Sequence, residues 1–77
     1  MTRDEAIEFF NSGKWKAMTH EQRADFQLAE QLLCMPFDVF HEAVTHALGR
    51  PVWTHEFADR QSLLDERTGI IATATMS

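Results

Sequence analysis

The chain has little of what covalent cross-links and membrane spans require. Its 77 residues include one cysteine, three glycines, two prolines and no tyrosine. One cysteine excludes an internal disulfide, and no CxxC or cysteine–histidine ladder forms a zinc-finger pattern, so we expect a reducing compartment. No apolar run approaches the roughly 20 residues of a membrane span, and residues 1–5 are too acidic for a secretory signal. These absences favour a cytoplasmic protein with no membrane partner.

Positive charge is also scarce. Seven lysines and arginines face twelve aspartates and glutamates, which gives a net charge of −5. Proteins that track nucleic-acid phosphates need a basic surface, so the composition disfavours direct nucleic-acid binding and suits a basic partner surface instead. The apolar fraction of 44% and charged fraction of 25% are those of an ordinary globular protein. The length supports one domain with one modest core.

Two capping-box patterns predict where the first two helices begin. In each, a threonine is followed three residues later by Glu or Gln: Thr2 with Glu5, and Thr19 with Gln22. The first helix is predicted to end at residues 11–13, and its apolar face to consist of Ala6, Ile7 and Phe10. The second is predicted over residues 20–33, where leucines and Phe26 recur at helical spacing.

Pro36 and Gly49 indicate the two ends of a third helix. Its apolar side is formed by Phe37, Phe40, Val44, Ala47 and Leu48. Pro51 biases the chain before it to extended geometry, so the residues through Trp53 are predicted as an extended link. Thr54 is expected to cap a fourth helix that ends near residue 67.

These elements predict an all-α fold, a compact bundle of three to four short helices with an extended, proline-containing link between helices 3 and 4. Residues 1–68 form the single helical domain. Residues 69–77 alternate weakly and contain β-branched side chains, but no second strand is available to pair with them. We expect this segment to be a weakly ordered C-terminal tail.

The run from His41 to His46 resembles the zinc-protease signature, in which two histidines four residues apart flank a glutamate. Here the spacing is five, which places the two rings roughly 140° apart around the helix axis. They cannot easily chelate one ion from a single helix. We expect a partly buried His41, a solvent-side pair of Glu42 and His46, and no metal.

Cys34 and His41 are the other candidates for chemistry, as a nucleophile and base oriented by Asp38. No oxyanion hole or substrate cleft is evident, and a lone cysteine between Leu33 and Met35 is typical of a small buried hydrophobe. We therefore predict no catalytic residue and no cofactor. A metal- or cysteine-dependent enzyme is kept as the lesser alternative.

Residues 27–40 have the outline of a helix-turn-helix, which makes a DNA-binding regulator the main alternative. A recognition helix presents cationic or amide side chains to base edges and phosphates. Residues 31–49 contain no lysine or arginine but do contain Asp38 and Glu42. The composition of this helix therefore disfavours DNA binding.

Three segments carry a family resemblance: LCMPF at residues 33–37, FHEA at 40–43 and LGRPVWTHEFA at 48–58. With further matches at residues 15–16 and 26–28, the chain resembles a small domain of unknown function found in bacteriophage and prophage proteins. The resemblance implies a phage-associated protein in the bacterial host cytoplasm. It implies no catalytic residues.

We therefore expect a small acidic, non-catalytic phage accessory protein that binds and modulates a host or phage protein. Inhibition of a host defence or nucleic-acid-processing complex is the concrete version, because an acidic helical surface can occupy a site built for phosphates. A homodimer is also considered, since short chains often complete their core across a two-fold axis. The candidate partner-binding residues are Asp38, Glu42, His46, Arg50 and Trp53. The alternatives are that Arg50 bridges Glu56 or another acid and that Trp53 belongs to the core.

Overall fold

The computed structural model describes residues 1–76, with the backbone alone for residues 74–76. Its four α-helices are α1 (Arg3–Ser12), α2 (His20–Leu28), α3 (Phe37–Leu48) and α4 (Arg60–Met76). Two short 3-10 turns, Lys14–Ala17 and Thr54–Ala58, precede α2 and α4. The described residues contain no strand, so the predicted all-α bundle is confirmed. None of their helices has the length and apolar character needed to cross a membrane.

The predicted starts of the first two helices are confirmed by side-chain caps. The Thr2 hydroxyl accepts from the backbone N–H of Glu5, whose carboxylate accepts in return from the N–H of Thr2. Thr19 and Gln22 make the same reciprocal pair at the start of α2. At the other end of α3, Gly49 adopts a left-handed φ of 68°, which ends the helix as predicted.

The core lies mainly between α2 and α3, and α4 covers one side of it. The buried apolar residues are Ala6, Ala24, Leu28, Cys34, Met35, Phe40, Ala43, Val44, Ala47, Leu48, Val52 and Leu63. Apart from Leu63, no side chain described for α4 is fully buried. Leu64 of α4 packs against the core from a half-buried position, and polar contacts add to the attachment of this helix.

The predicted apolar face of α1 is partly wrong. Ala6 is buried, but Ile7 is 49% exposed and Phe10 37% exposed. The inner face instead runs through Phe9, whose ring stacks on Phe26 of α2 with centroids 4.8 Å apart. Ala6 and Phe9 lie three residues apart and therefore on one side of the helix.

The second helix ends at Leu28, five residues before the predicted end of residues 20–33. The cause is Gln27, whose side chain is 1% exposed and binds the loop that follows. Its amide nitrogen donates to the carbonyls of Glu30 and Leu32, and its oxygen accepts from the N–H and the thiol of Cys34. The loop thereby gains the polar partners that another helical turn would have supplied.

Arg60, the first residue of α4, supports the same early end from the opposite side. Its guanidinium donates to four backbone carbonyls at the end of α2 and in the following loop: those of Gln27, Leu28, Glu30 and Gln31. The last carbonyls of a helix have no partner within the helix. A cation placed there satisfies them and matches the negative end of the helix dipole.

The predicted fourth helix also differs in its bounds. Thr54 begins a 3-10 turn, and α4 starts only at Arg60, where the carboxylate of Asp59 accepts from the N–H of Ser62 as a cap. The expected weakly ordered tail of residues 69–77 continues α4 as helix through Met76, while Ser77 lies outside the described residues. A local reason is that the Thr73 hydroxyl donates to the carbonyl four residues earlier, as hydroxyls do within helices.

Candidate functional site

Arg50, a candidate partner-binding residue, is engaged within the chain. Its guanidinium forms paired hydrogen bonds with the carboxylates of both Glu56 and Glu66, at 2.8–3.2 Å and 2.9 Å. Hydrogen bonds from Arg50 and from the backbone N–H of Trp53 lower the pKa of Glu56 to about 2. The hydrogen bonds from Arg50 also lower the pKa of Glu66. Both carboxylates in turn raise the pKa of Arg50. Arg50 therefore braces the link against the turn and α4.

The link has no helix or strand, Trp53 in it is extended as predicted, and its side chains alternate between exposed and buried. Val52 is buried and its carbonyl is hydrogen-bonded to the Nε2 of His41, which is half-buried as predicted. Trp53, another candidate, is 69% exposed, the highest value among the large apolar residues that the structure describes. An exposed tryptophan on a braced backbone is well suited to anchor a partner.

Asp38, Glu42 and His46 all lie exposed on α3. They recur every four residues, so they follow one another along the outer side of the helix. The opposite side of α3 is in the core. The structure thus places these three candidates on one surface, which we call the outer face of α3. Arg50 is not part of this surface, because its guanidinium is ion-paired with Glu56 and Glu66.

One neighbour of this face was missed by the sequence analysis. His20, at the start of α2, stacks on His46 with ring centroids 4.0 Å apart and an interplanar angle of 5°. One ligand atom each of His20, Glu42 and His46 lie within 4.8 Å of one another. His20 is 26 residues from His46 in sequence, and no local pattern signals a contact made only by the packing of α2 on α3.

Four of the five arginines make hydrogen bonds or ion pairs within the protein. Arg23 donates to backbone carbonyls of Trp15 and Lys16, Arg50 and Arg67 bind carboxylates, and Arg60 binds carbonyls. The other cations, Arg3, Lys14 and Lys16, are exposed on or beside α1. Asp38 and Glu42 face outward on a helix that contains no lysine or arginine.

Cys34 and a cluster of three phenylalanines have structural contacts that account for them. Cys34 is buried, its thiol donates to Gln27, and burial raises its pKa, which opposes thiolate formation. Phe37, Phe40 and Phe57 pack edge to face with centroids 5.0–6.3 Å apart. The groove beside them has a volume of about 160 Å³, smaller than the roughly 300–1,000 Å³ of ordinary ligand pockets.

Residues 18–74 match a family model described as "Domain of unknown function (DUF7736)". The match covers most of the chain, including α2, α3 and nearly all of α4. Searches of curated proteins and of solved structures each found no significant match. The chain therefore belongs to the DUF7736 family.

Proposed function

We propose that this member of the DUF7736 family is a small non-catalytic binding protein that docks the outer face of α3 on a basic surface of another protein. The observation that carries the proposal is the uneven use of charge. Four of the arginines are bound within the fold, while Asp38 and Glu42 remain exposed on a helix without lysine or arginine. Such a face attracts a positively charged partner and steers its approach.

The braced link supplies an apolar anchor in the proposed interface. The side chain of Trp53 is highly exposed, but its backbone N–H donates to the Glu56 carboxylate, which is also ion-paired with Arg50. A large side chain on a fixed backbone loses little conformational freedom on binding. Charge would then guide the encounter, and Trp53 would contribute the desolvated contact.

The concrete version is that the partner is a host or phage protein whose basic site normally receives nucleic-acid phosphates. The resemblance to phage and prophage domains supplies this biological setting, and the acidic outer face supplies the chemistry. In this setting the protein acts in the bacterial cytoplasm. It occupies the phosphate-binding site of the partner protein and thereby inhibits that partner.

Two features of the structure favour protein binding over the helix-turn-helix alternative. Residues 29–36 separate α2 from α3, which is longer than the three to four residues of a helix-turn-helix connection. The exposed side of α3 carries Asp38 and Glu42 where a recognition helix would present cations. A mobility shift with nonspecific DNA at low salt would contradict the proposal.

The direct test is affinity capture from host lysate with wild-type protein and two charge-reversal variants. Asp38→Lys alters the outer face, and Glu8→Lys makes the same charge change at an exposed position of α1. We expect a partner with a basic surface to be retained by the wild type and by Glu8→Lys, lost with Asp38→Lys, and released at high salt. Capture that is unaffected by salt and by Asp38→Lys would refute the proposal.

A further inference from the structure

We propose that His20, Glu42 and His46 form a binding site for a divalent transition-metal ion, with Zn²⁺ the best chemical match. The proposal goes beyond protein binding and does not depend on it. The three side chains come from the beginning of α2 and the outer face of α3, and one ligand atom of each lies within 4.8 Å of the others. They therefore constitute a two-nitrogen, one-oxygen donor set.

The arrangement on α3 follows from helical spacing. Glu42 and His46 are four residues apart, so they project from the same side of the helix. His41, one residue before Glu42, instead points to the link, where its Nε2 meets the carbonyl of Val52. The ligand that His41 cannot supply comes from His20, which reaches His46 because α2 packs against α3.

The state of His20 is the second, independent observation. Its Nδ1 is buried and has no hydrogen-bond partner among the described residues. A buried polar atom without a partner is costly, and such an atom in a native structure calls for an explanation. Coordination of an ion by Nδ1 would supply the partner that the protein does not, since an imidazole nitrogen without a proton is a metal ligand. The unpartnered atom marks the ring whose polar requirements the protein does not itself meet.

The distances are compatible with one ion once the side chains rotate. Zn²⁺ binds histidine nitrogen at about 2.0–2.1 Å and carboxylate oxygen at about 2.0–2.2 Å, which puts tetrahedral ligand atoms about 3.3 Å apart. Atoms within 4.8 Å must therefore approach by about 1.5 Å at most. The rings now stack face to face at 4.0 Å, and they must turn because a metal binds in the plane of the imidazole.

The donor set also decides the kind of ion. Two imidazoles and one carboxylate suit zinc and neighbouring transition metals, whereas Mg²⁺ and Ca²⁺ prefer oxygen ligands alone. Three protein ligands leave a fourth position for water. Because Glu42 and His46 are exposed, that position faces solvent. The bound ion would tie the start of α2 to α3.

The test is a calorimetric titration of the untagged protein with ZnCl₂. We expect one ion per chain, and we expect His20→Asn, Glu42→Gln and His46→Asn each to weaken binding at least about tenfold, since even changes to residues that support a ligand cost about 10–100-fold. His55→Asn is the matched control, because His55 is exposed and outside the cluster. This variant should bind zinc like the wild type.

Histidine side-chain NMR spectra locate the ion independently of affinity. The chain has four histidines, and Zn²⁺ should shift the ring signals of His20 and His46 while leaving those of His41 and His55 in place. Unchanged backbone spectra of the apo variants will show that they remain folded. The proposal is overturned if the wild type binds no zinc, or if the His20→Asn and His46→Asn variants bind zinc as tightly as the wild type. It is also overturned if zinc shifts the ring signals of His55 alone. A failed Asp38→Lys capture test would leave these outcomes unaffected.

Discussion

Arg67 of α4 and Asp25 of α2 form a paired ion bridge, with Nε 2.7 Å and the second contact 3.2 Å from the carboxylate oxygens. Arg67 also donates to the carbonyl of Ala47 at the end of α3. One guanidinium therefore joins three helices. Its side chain is 12% exposed, and the Asp25 carboxylate raises its pKa.

Replacement of Arg67 by methionine should lower the free energy of unfolding by about 1–3 kcal/mol, because the Ala47 carbonyl and the Asp25 carboxylate both lose a charged donor. Chemical denaturation followed by circular dichroism will measure the change. Arg3→Met removes the same charge from an exposed position of α1 and should alter the unfolding free energy by less than about 0.5 kcal/mol. Equal effects of the two changes would show that net charge, not the bridge, determines the loss.

The brace of Arg50 predicts sensitivity to acid. The folded pKa of Glu56 is about 2, below its ordinary value of 4.5, so the stabilisation from its ionised form is complete above pH 4.5 and is lost as the pH falls toward 2. The difference in unfolding free energy between the wild type and Glu56→Gln should therefore decrease as the pH falls from 4.5 toward 2. Melting temperatures at several pH values will test it. In an Arg50→Leu background, the same comparison should show a much smaller pH dependence.

Arg60→Met should destabilise the fold by about 2–3 kcal/mol, since several carbonyls at the end of α2 lose their charged donor together. Arg60→Lys keeps the charge but not the fork of donors, and should recover only part of the loss. Urea denaturation of the three proteins gives the comparison. Full recovery by lysine would mean that the charge alone supports the loop.

Gln27→Leu should cost about 2–3 kcal/mol, because the N–H of Cys34 and two loop carbonyls lose their buried partner. It should also speed the reaction of Cys34 with a thiol reagent under native conditions, since the loop that covers the thiol opens more often. Cys34 is the only thiol in the chain, so the signal is unambiguous. Gln31→Leu, at an exposed loop position, is the control that should change neither measurement.

The elements that the sequence predicted well are those with local signals. The two capping boxes, the helix bounded by Pro36 and Gly49, and the extended link after Pro51 all depend on contacts within a few residues. Their geometry follows from backbone preferences and short-range hydrogen bonds. The all-α fold was predictable for the same reason.

The differences arise where distant residues decide the outcome. Apolar periodicity favoured a longer second helix, but Gln27 and Arg60 bind the loop and support its end at Leu28. The outward positions on α3 were predictable from its apolar side, whereas the capture of Arg50 by Glu66, 16 residues later, was not. His20 joined His46 for the same reason: their contact exists only once α2 and α3 have packed.

The attachment of α4 gives the domain an internal order of stability. Helices α2 and α3 share most of the buried apolar residues, whereas α4 contributes Leu63 and the half-buried Leu64 and is otherwise held by polar contacts of Arg60, Arg67 and Glu66. Units with few buried apolar contacts open at lower free energy than the rest of a fold. In native-state hydrogen exchange, the amides of α4 should therefore exchange as one early-opening unit, while those of α3 exchange only when the whole domain unfolds.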